Sequence, residues 1–156
     1  MNNTFRTVIG LSFVFPIVIL ERVMSLITGR ERSIRVTGAL LSRISAGALS
    51  LIVPSVSSAG EFDSFRGKIK RNFRRWNIVY DTALVEDSPG RVKFNVLNCP
   101  FTDALKAMGE KELCKYACAG DWLVAAKNRG NWDFAKAHSL GTDGCPCDHT
   151  YTRKER

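Results

Sequence analysis

Hydrophobic and polar positions change their period along this chain, and each change marks an element. Val8 to Leu20 (VIGLSFVFPIVIL) runs for 13 positions without a charge and stops at Glu21-Arg22. A membrane-spanning helix needs roughly 20 apolar residues, and Pro16 removes a donor from the middle of this run. The stretch therefore reads as a short or interrupted apolar helix. A second apolar stretch, Ile44 to Val56, leads into VPSVSSAG, where Ser57-Ser58-Ala59 has the small residues of a leader cleavage site. Three readings of the first 59 residues stay open: two helices that part near Thr28-Gly29 and pack on the rest of the domain, a membrane-attached segment, or a leader. From Gly60 to Trp76 the period is helical. Phe62, Phe65, Ile69, Phe73 and Trp76 form a stripe, and basic residues fill the other face.

After Trp76 the period drops to two. Ile78, Tyr80 and Thr82 alternate with Val79, Asp81 and Ala83, and the run continues to Val85. Glu86-Asp87-Ser88-Pro89-Gly90 is a turn, and Val92, Phe94 and Val96 resume the alternation, so the segment predicts an antiparallel hairpin. Cys99-Pro100 ends the second strand. Thr102-Asp103 caps a helix running to Met108 and closing at Gly109, and a second helix fits Lys111 to Lys127. Trp132 to His138 reads as a third strand, Gly141-Thr142-Asp143-Gly144 as a turn, and Cys147 to Thr152 as a fourth strand. The expected class is α+β. N-terminal helices precede an antiparallel four-stranded sheet made of two hairpins separated by two helices. The expected division is 1–59, an apolar basic helical region, and 60–156, an α+β domain.

Charge adds one fact to this picture. The net charge is +8, and all of the excess lies in residues 1–76, which hold 12 Lys/Arg against 4 Asp/Glu; residues 77–156 hold 11 of each. Positive charge beside the most apolar sequence suits an anionic membrane surface. No zinc-finger spacing, RNP-like aromatic signature or helix-turn-helix pattern accompanies it, so nucleic acid is not an expected partner. Five cysteines (Cys99, Cys114, Cys118, Cys145, Cys147) cannot all pair within one chain. Free thiols in a reducing compartment follow, which points to a cytoplasmic protein, with membrane association as the alternative.

The chemistry-bearing residues lie between Asn95 and Arg153. In order they are Asn98-Cys99-Pro100-Phe101, Leu105 and Gly109, Cys114-x3-Cys118-x2-Asp121-Trp122, His138-Ser139-Leu140, Gly141-Thr142-Asp143-Gly144, and Cys147-Asp148-His149-Thr150-Tyr151. This succession, over about residues 76–153, resembles the L-2-amino-thiazoline-4-carboxylic acid hydrolase family. That family has an Asn and a Cys closing a strand, a helix ending at Gly, a Cys followed shortly by an Asp, and a final Cys-Asp-aromatic strand. Here His149 stands at the final aromatic position. The resemblance implies hydrolytic opening of a cyclic, amidine-like C=N bond in a small carboxylated thiazoline. Such a reaction needs an attacking water or thiolate, an acid for the departing ring atom, and a cation or helix N-terminus for the carboxylate.

Two mechanisms fit the residues. In one, Cys99 or Cys147 is a thiolate nucleophile assisted by His149 or Asp121. In the other, a subset of Cys99, Cys118, Asp121, Cys147 and His149 holds zinc that activates water. Strand alternation places Cys147, His149 and Tyr151 on one face and Asp148 on the other. Tyr151 and Asn98 are then candidates to bind a small anionic substrate. Each reading has a plainer counterpart. Cys114 and Cys118 suit helix packing, Asp121 suits an ion pair with Arg129 or Lys136, His138 suits the surface, and Trp122 and Trp132 suit the core. A non-catalytic module holding a metal or small ligand, docked through its basic N-terminus, is the alternative function. A thiol redox pair, Cys145 and Cys147, is a third.

Overall fold

The computed structural model describes residues 3–155. Five helices and one four-stranded antiparallel sheet make up the fold. They run α1 (Asn3–Thr28), α2 (Arg30–Leu49), α3 (Phe62–Trp76), β1 (Thr82–Ser88), β2 (Arg91–Val96), α4 (Pro100–Ala107), α5 (Lys111–Lys127), β3 (Trp132–Ala135) and β4 (Cys147–Arg153). The expected α+β class is found.

Helix α1 passes straight through Pro16, where an interruption was expected. A proline inside a helix costs about 3 kcal/mol. Each fully buried aliphatic side chain returns roughly 1.5–3 kcal/mol, and Val14, Ile17 and Val18, which flank the proline, are all buried. Packing wins. The opposite side of α1 stays outside, with Phe5, Val8, Phe15, Ile19, Val23, Leu26 and Ile27 exposed. By length and composition Thr4–Thr28 is apolar enough to cross a membrane. Gly29, with φ of +81°, supplies the left-handed turn into α2 that a side chain would strain.

Two hydrophobic cores result. One joins Val14, Ile17, Val18, Ile34 and Leu41 of the first two helices to Ala104, Leu105, Leu113 and Cys114. The other joins Ala46, Ile52, Val53 and Val56 to the α3 stripe (Phe62, Phe65, Ile69, Phe73), the sheet, and Val124 of α5. Residues on both sides of position 59 share each core.

Glycine permits close helix approaches. A Cβ placed on Gly120 of α5 would stand 2.8 Å from the Ser45 Cβ and 2.9 Å from the Ala46 backbone nitrogen of α2. Gly120→Ala is therefore expected to lower stability by about 1–3 kcal/mol by forcing the helices apart. Helix propensity alone would raise stability by about 1 kcal/mol. A urea midpoint that rises in this variant would contradict the close approach.

Strand order is β1-β2-β4-β3, antiparallel throughout. The first hairpin carries a bulge between Leu84 and Glu86. The second connects β3 to β4 through residues 136–146, so β3 ends at Ala135, short of the expected His138. The reason is Asp148, whose Oδ1 accepts the backbone N–H groups of Ala137 (2.9 Å) and His138 (2.7 Å) and turns the chain off the sheet. Strand β4 lies between β2 and β3, pairing Val96 with Cys147 and Phe94 with His149 on one side and Phe134 with Tyr151 on the other.

Candidate active site

On the buried face of β4, alternation sets Cys147 and His149 side by side, both nearly inaccessible. Helix α5 crosses above them and lowers Asp121 onto the imidazole, with Oδ2 3.4 Å from His149 Nε2. Lys136, just past the end of β3, closes the cluster. Its Nζ donates to Asp121 Oδ2 at 2.6 Å and to the Cys118 carbonyl at 3.1 Å, and its side chain is only 5% exposed. Of the two partners foreseen for Asp121, Lys136 is the one used.

These groups open into a cavity of about 70 Å3, room for on the order of five waters or one small ring. Cys99, Cys118, Asp121, Cys147 and His149 all line it, as do Tyr80 and Thr102. Apart from Ser45 of α2, its remaining wall is apolar, with Phe13 of α1, Leu49 of α2, Ile52 and Val53 after it, Phe73 of α3, Val96 of β2 and Phe101 of α4. No sequence signal marks that wall, because its residues come from segments far apart in the chain.

Electrostatics separates the thiols. Burial pushes Cys99 up to about 12 and Cys114 to about 11, and it raises Cys118 as well. Cys147 goes the other way. Burial would raise it, but the hydrogen bond from His149, the Leu140 backbone N–H and the charges of His149 and Lys136 outweigh burial and hold the thiol below its ordinary value. Leu140 N lies 3.4 Å from Cys147 Sγ. Burial also opposes charge on His149, yet the Asp121 carboxylate and the Cys147 sulfur lift the imidazole to about 9. Asp121 itself is drawn down to about 2, because His149 and Lys136 outweigh its burial. At neutral pH the cluster holds the Asp121 anion and two cations, His149 and Lys136, and the Cys147 thiol beside them is biased toward its thiolate.

Several expected residues stand elsewhere. Asn98 is turned away; its side-chain oxygen accepts the Asp81 backbone N–H, and it lines a separate groove with Arg6 and Asp103. Tyr151 is packed in the core against Phe65, Trp132 and Phe134, because two residues beyond His149 the strand has passed under α3. Neither can touch a molecule in the cavity. The thiols of Cys145 and Cys147 are both free, the first exposed and the second buried. His138 is exposed and Trp132 buried as expected, whereas Trp122 is half exposed.

The five residues of the zinc reading share the cavity without forming a ligand sphere. Among the described residues, the one group of three whose donor atoms all lie within 4.8 Å of each other is His138, Asp143 and Cys145, on the surface. In the cavity, Asp121 is committed to Lys136 and His149, and Cys118 Sγ accepts from Ser139 Oγ at 3.1 Å. The residues present do not fit zinc.

The chain is thus an α+β protein with a buried thiol, imidazole and carboxylate gathered around a small cavity. The chain is a member of the L-2-amino-thiazoline-4-carboxylic acid hydrolase family, which residues 13–151 match. The match reaches from the middle of α1 to the end of β4. It therefore includes the N-terminal helices, whose sequence carries none of the motifs on which the resemblance rests. No curated protein matches the chain.

Proposed function

We propose that the protein is a thiol-dependent hydrolase that opens a small heterocyclic ring at an amidine-like carbon, with Cys147 as nucleophile. One observation carries this reading: of the three thiols that line the cavity, Cys147 is the one paired with an imidazole and shifted toward the thiolate. A thiolate beside an imidazolium is both a strong nucleophile and a ready proton donor.

The chemistry balances with these groups alone. Cys147 Sγ bonds to the ring carbon, and the electron pair of its C=N bond moves to nitrogen, which takes a proton from His149. The nitrogen pair then re-forms a C=N bond and expels the ring sulfur as a thiolate, which opens the ring and leaves a cationic thioimidate on Cys147. Water adds to that carbon and gives one proton to the now neutral His149. The bond from carbon to Cys147 Sγ then breaks as the oxygen forms a C=O bond, restoring the Cys147 thiolate, and the second water proton passes to the expelled ring sulfur. One water is consumed. Asp121 holds the imidazole through the cycle and stabilises its charge, and Lys136 holds Asp121.

This arrangement fixes a pH dependence. Modification of Cys147 by iodoacetamide, followed by mass spectrometry of its peptide, is expected to reach half its maximal rate below the ordinary thiol value of 9.0. Hydrolysis is expected to fall as pH rises through about 9, where His149 loses the proton it must donate. A half-maximal rate at or above 9.0 would remove Cys147 as the nucleophile.

A further inference from the structure

Helix α1 turns an uncharged face away from the protein. Phe5, Val8, Phe15, Ile19, Val23 and Leu26 recur at the spacing of one helical side, and all are exposed. The charges of this helix are directed elsewhere. Arg6 pairs with Asp81, Glu21 is buried, and Arg22 reaches back to the Met108 carbonyl and Glu110. A helix that served only as core would be mostly covered, yet only 28% of this apolar stretch is buried inside the protein. Soluble monomers rarely leave so continuous an apolar patch open; such patches mark a contact with a partner or a membrane.

Helix α2 says which. Val36, Leu40 and Ile44 form an exposed row along it. Arg32 continues that row one turn earlier, and Arg35 and Arg43 stand in the row beside it. All three arginines are exposed, and none has an acidic partner among the described residues. Glu31 is the acid exposed near them. An apolar face edged by unpaired cations matches acyl chains under anionic headgroups. It matches a second copy of this chain poorly, because a two-fold contact would set the arginine edge against itself. Spanning is also disfavoured. Val14, Ile17 and Val18 on the inner side of α1 hold a core with α4 and α5, so the helix lies along a bilayer surface rather than across it.

We infer that the outer face of α1, edged by the arginines of α2, docks this protein in the plane of an anionic membrane surface. The inference stands apart from the hydrolase reading, and Cys147→Ser is expected to dock as the wild type does. The full chain is mixed with vesicles of phosphatidylcholine, alone or with about one-third phosphatidylserine, and the bound share is read by flotation. Binding to the anionic vesicles is expected to be about tenfold or more the stronger, and to fall with added salt. Leu26→Glu with Ile27→Glu, at side chains 88% and 80% exposed, is expected to weaken it about tenfold or more while leaving the urea midpoint in place. Arg32→Gln with Arg35→Gln and Arg43→Gln is expected to remove the preference for phosphatidylserine. No flotation of the wild type, equal binding to both vesicles, or binding that the glutamates leave unchanged overturns the inference. A wild-type dimer that the glutamates turn into monomer, with no vesicle bound, overturns it too and assigns the face to a second copy.

Discussion

Cys147→Ser is expected to cut the hydrolysis rate constant by on the order of 10^4-fold or more, the scale seen when a catalytic nucleophile is removed. The substitution changes one atom on an interior strand and leaves the ladder pairs with Val96 intact. A serine hydroxyl beside His149 stays protonated, so the attacking anion is lost while the shape is kept. The measurement is ring opening of a thiazoline by wild type and variant, with urea unfolding of both to show that the fold survives. Equal turnover would show that some other group attacks. Cys99→Ser serves as the control. It lines the same cavity, but its thiol is held protonated near 12, so its loss is expected to change the rate by less than about tenfold.

Asp121→Asn is expected to have the largest effect on stability, about 3–5 kcal/mol, because it removes the anion between two buried cations. Lys136 and the His149 side chain are 5% and 7% exposed and find no other carboxylate among the described residues. The effect has a defined pH course. His149 is raised from 6.5 to about 9, so its share of the stability is fully present below 6.5 and is lost as pH rises through about 9. Asp121 is lowered from 3.8 to about 2, so its share is present above 3.8 and is lost as pH falls through about 2. The gap between wild type and variant in urea unfolding should accordingly be widest between about pH 4 and 6.5 and shrink on the alkaline side. It should not vanish there, since Lys136 still lacks its partner. The same variant should move the half-maximal alkylation of Cys147 to higher pH, because the imidazolium that lowers the thiol is itself sustained by Asp121. A flat difference between the two proteins across that range would mean that Asp121 does not sustain the imidazolium.

Local patterns carried much of this structure. The stripe from Phe62 to Phe73 is buried as a helical period requires, and the turn at residues 86–90 joins the strands expected on either side. Alternation along the last strand is enough to put Cys147 and His149 on one face. The spacing Cys118-x2-Asp121 lies on α5 and brings both residues to the same cavity. Long-range placement was not legible. Nothing local says that β4 inserts between β2 and β3, or that the chain leaves β3 at Ala135 because Asp148, on the next strand, takes the two following amides. Tyr151 shares its period with the reactive pair, yet the path of α3 overhead decides that it packs rather than binds. Pro16 misled for a related reason: its cost is local, whereas the compensating burial is supplied by α2, α4 and α5.

Strand β4 is bonded along both edges, while the surfaces that shape the cavity belong to separate helices and the segment after α2. Cys147 and His149, the pair proposed to react, thus sit on a strand held at both edges, and the wall around them is assembled from separate segments. Such a construction lets taste and chemistry drift apart. Replacing Phe13, Leu49 or Val53 can resize or repolarise the chamber without disturbing a single rung beneath the sulfur and the imidazole, so relatives built on the same strand are free to differ in what they open while agreeing on how they open it.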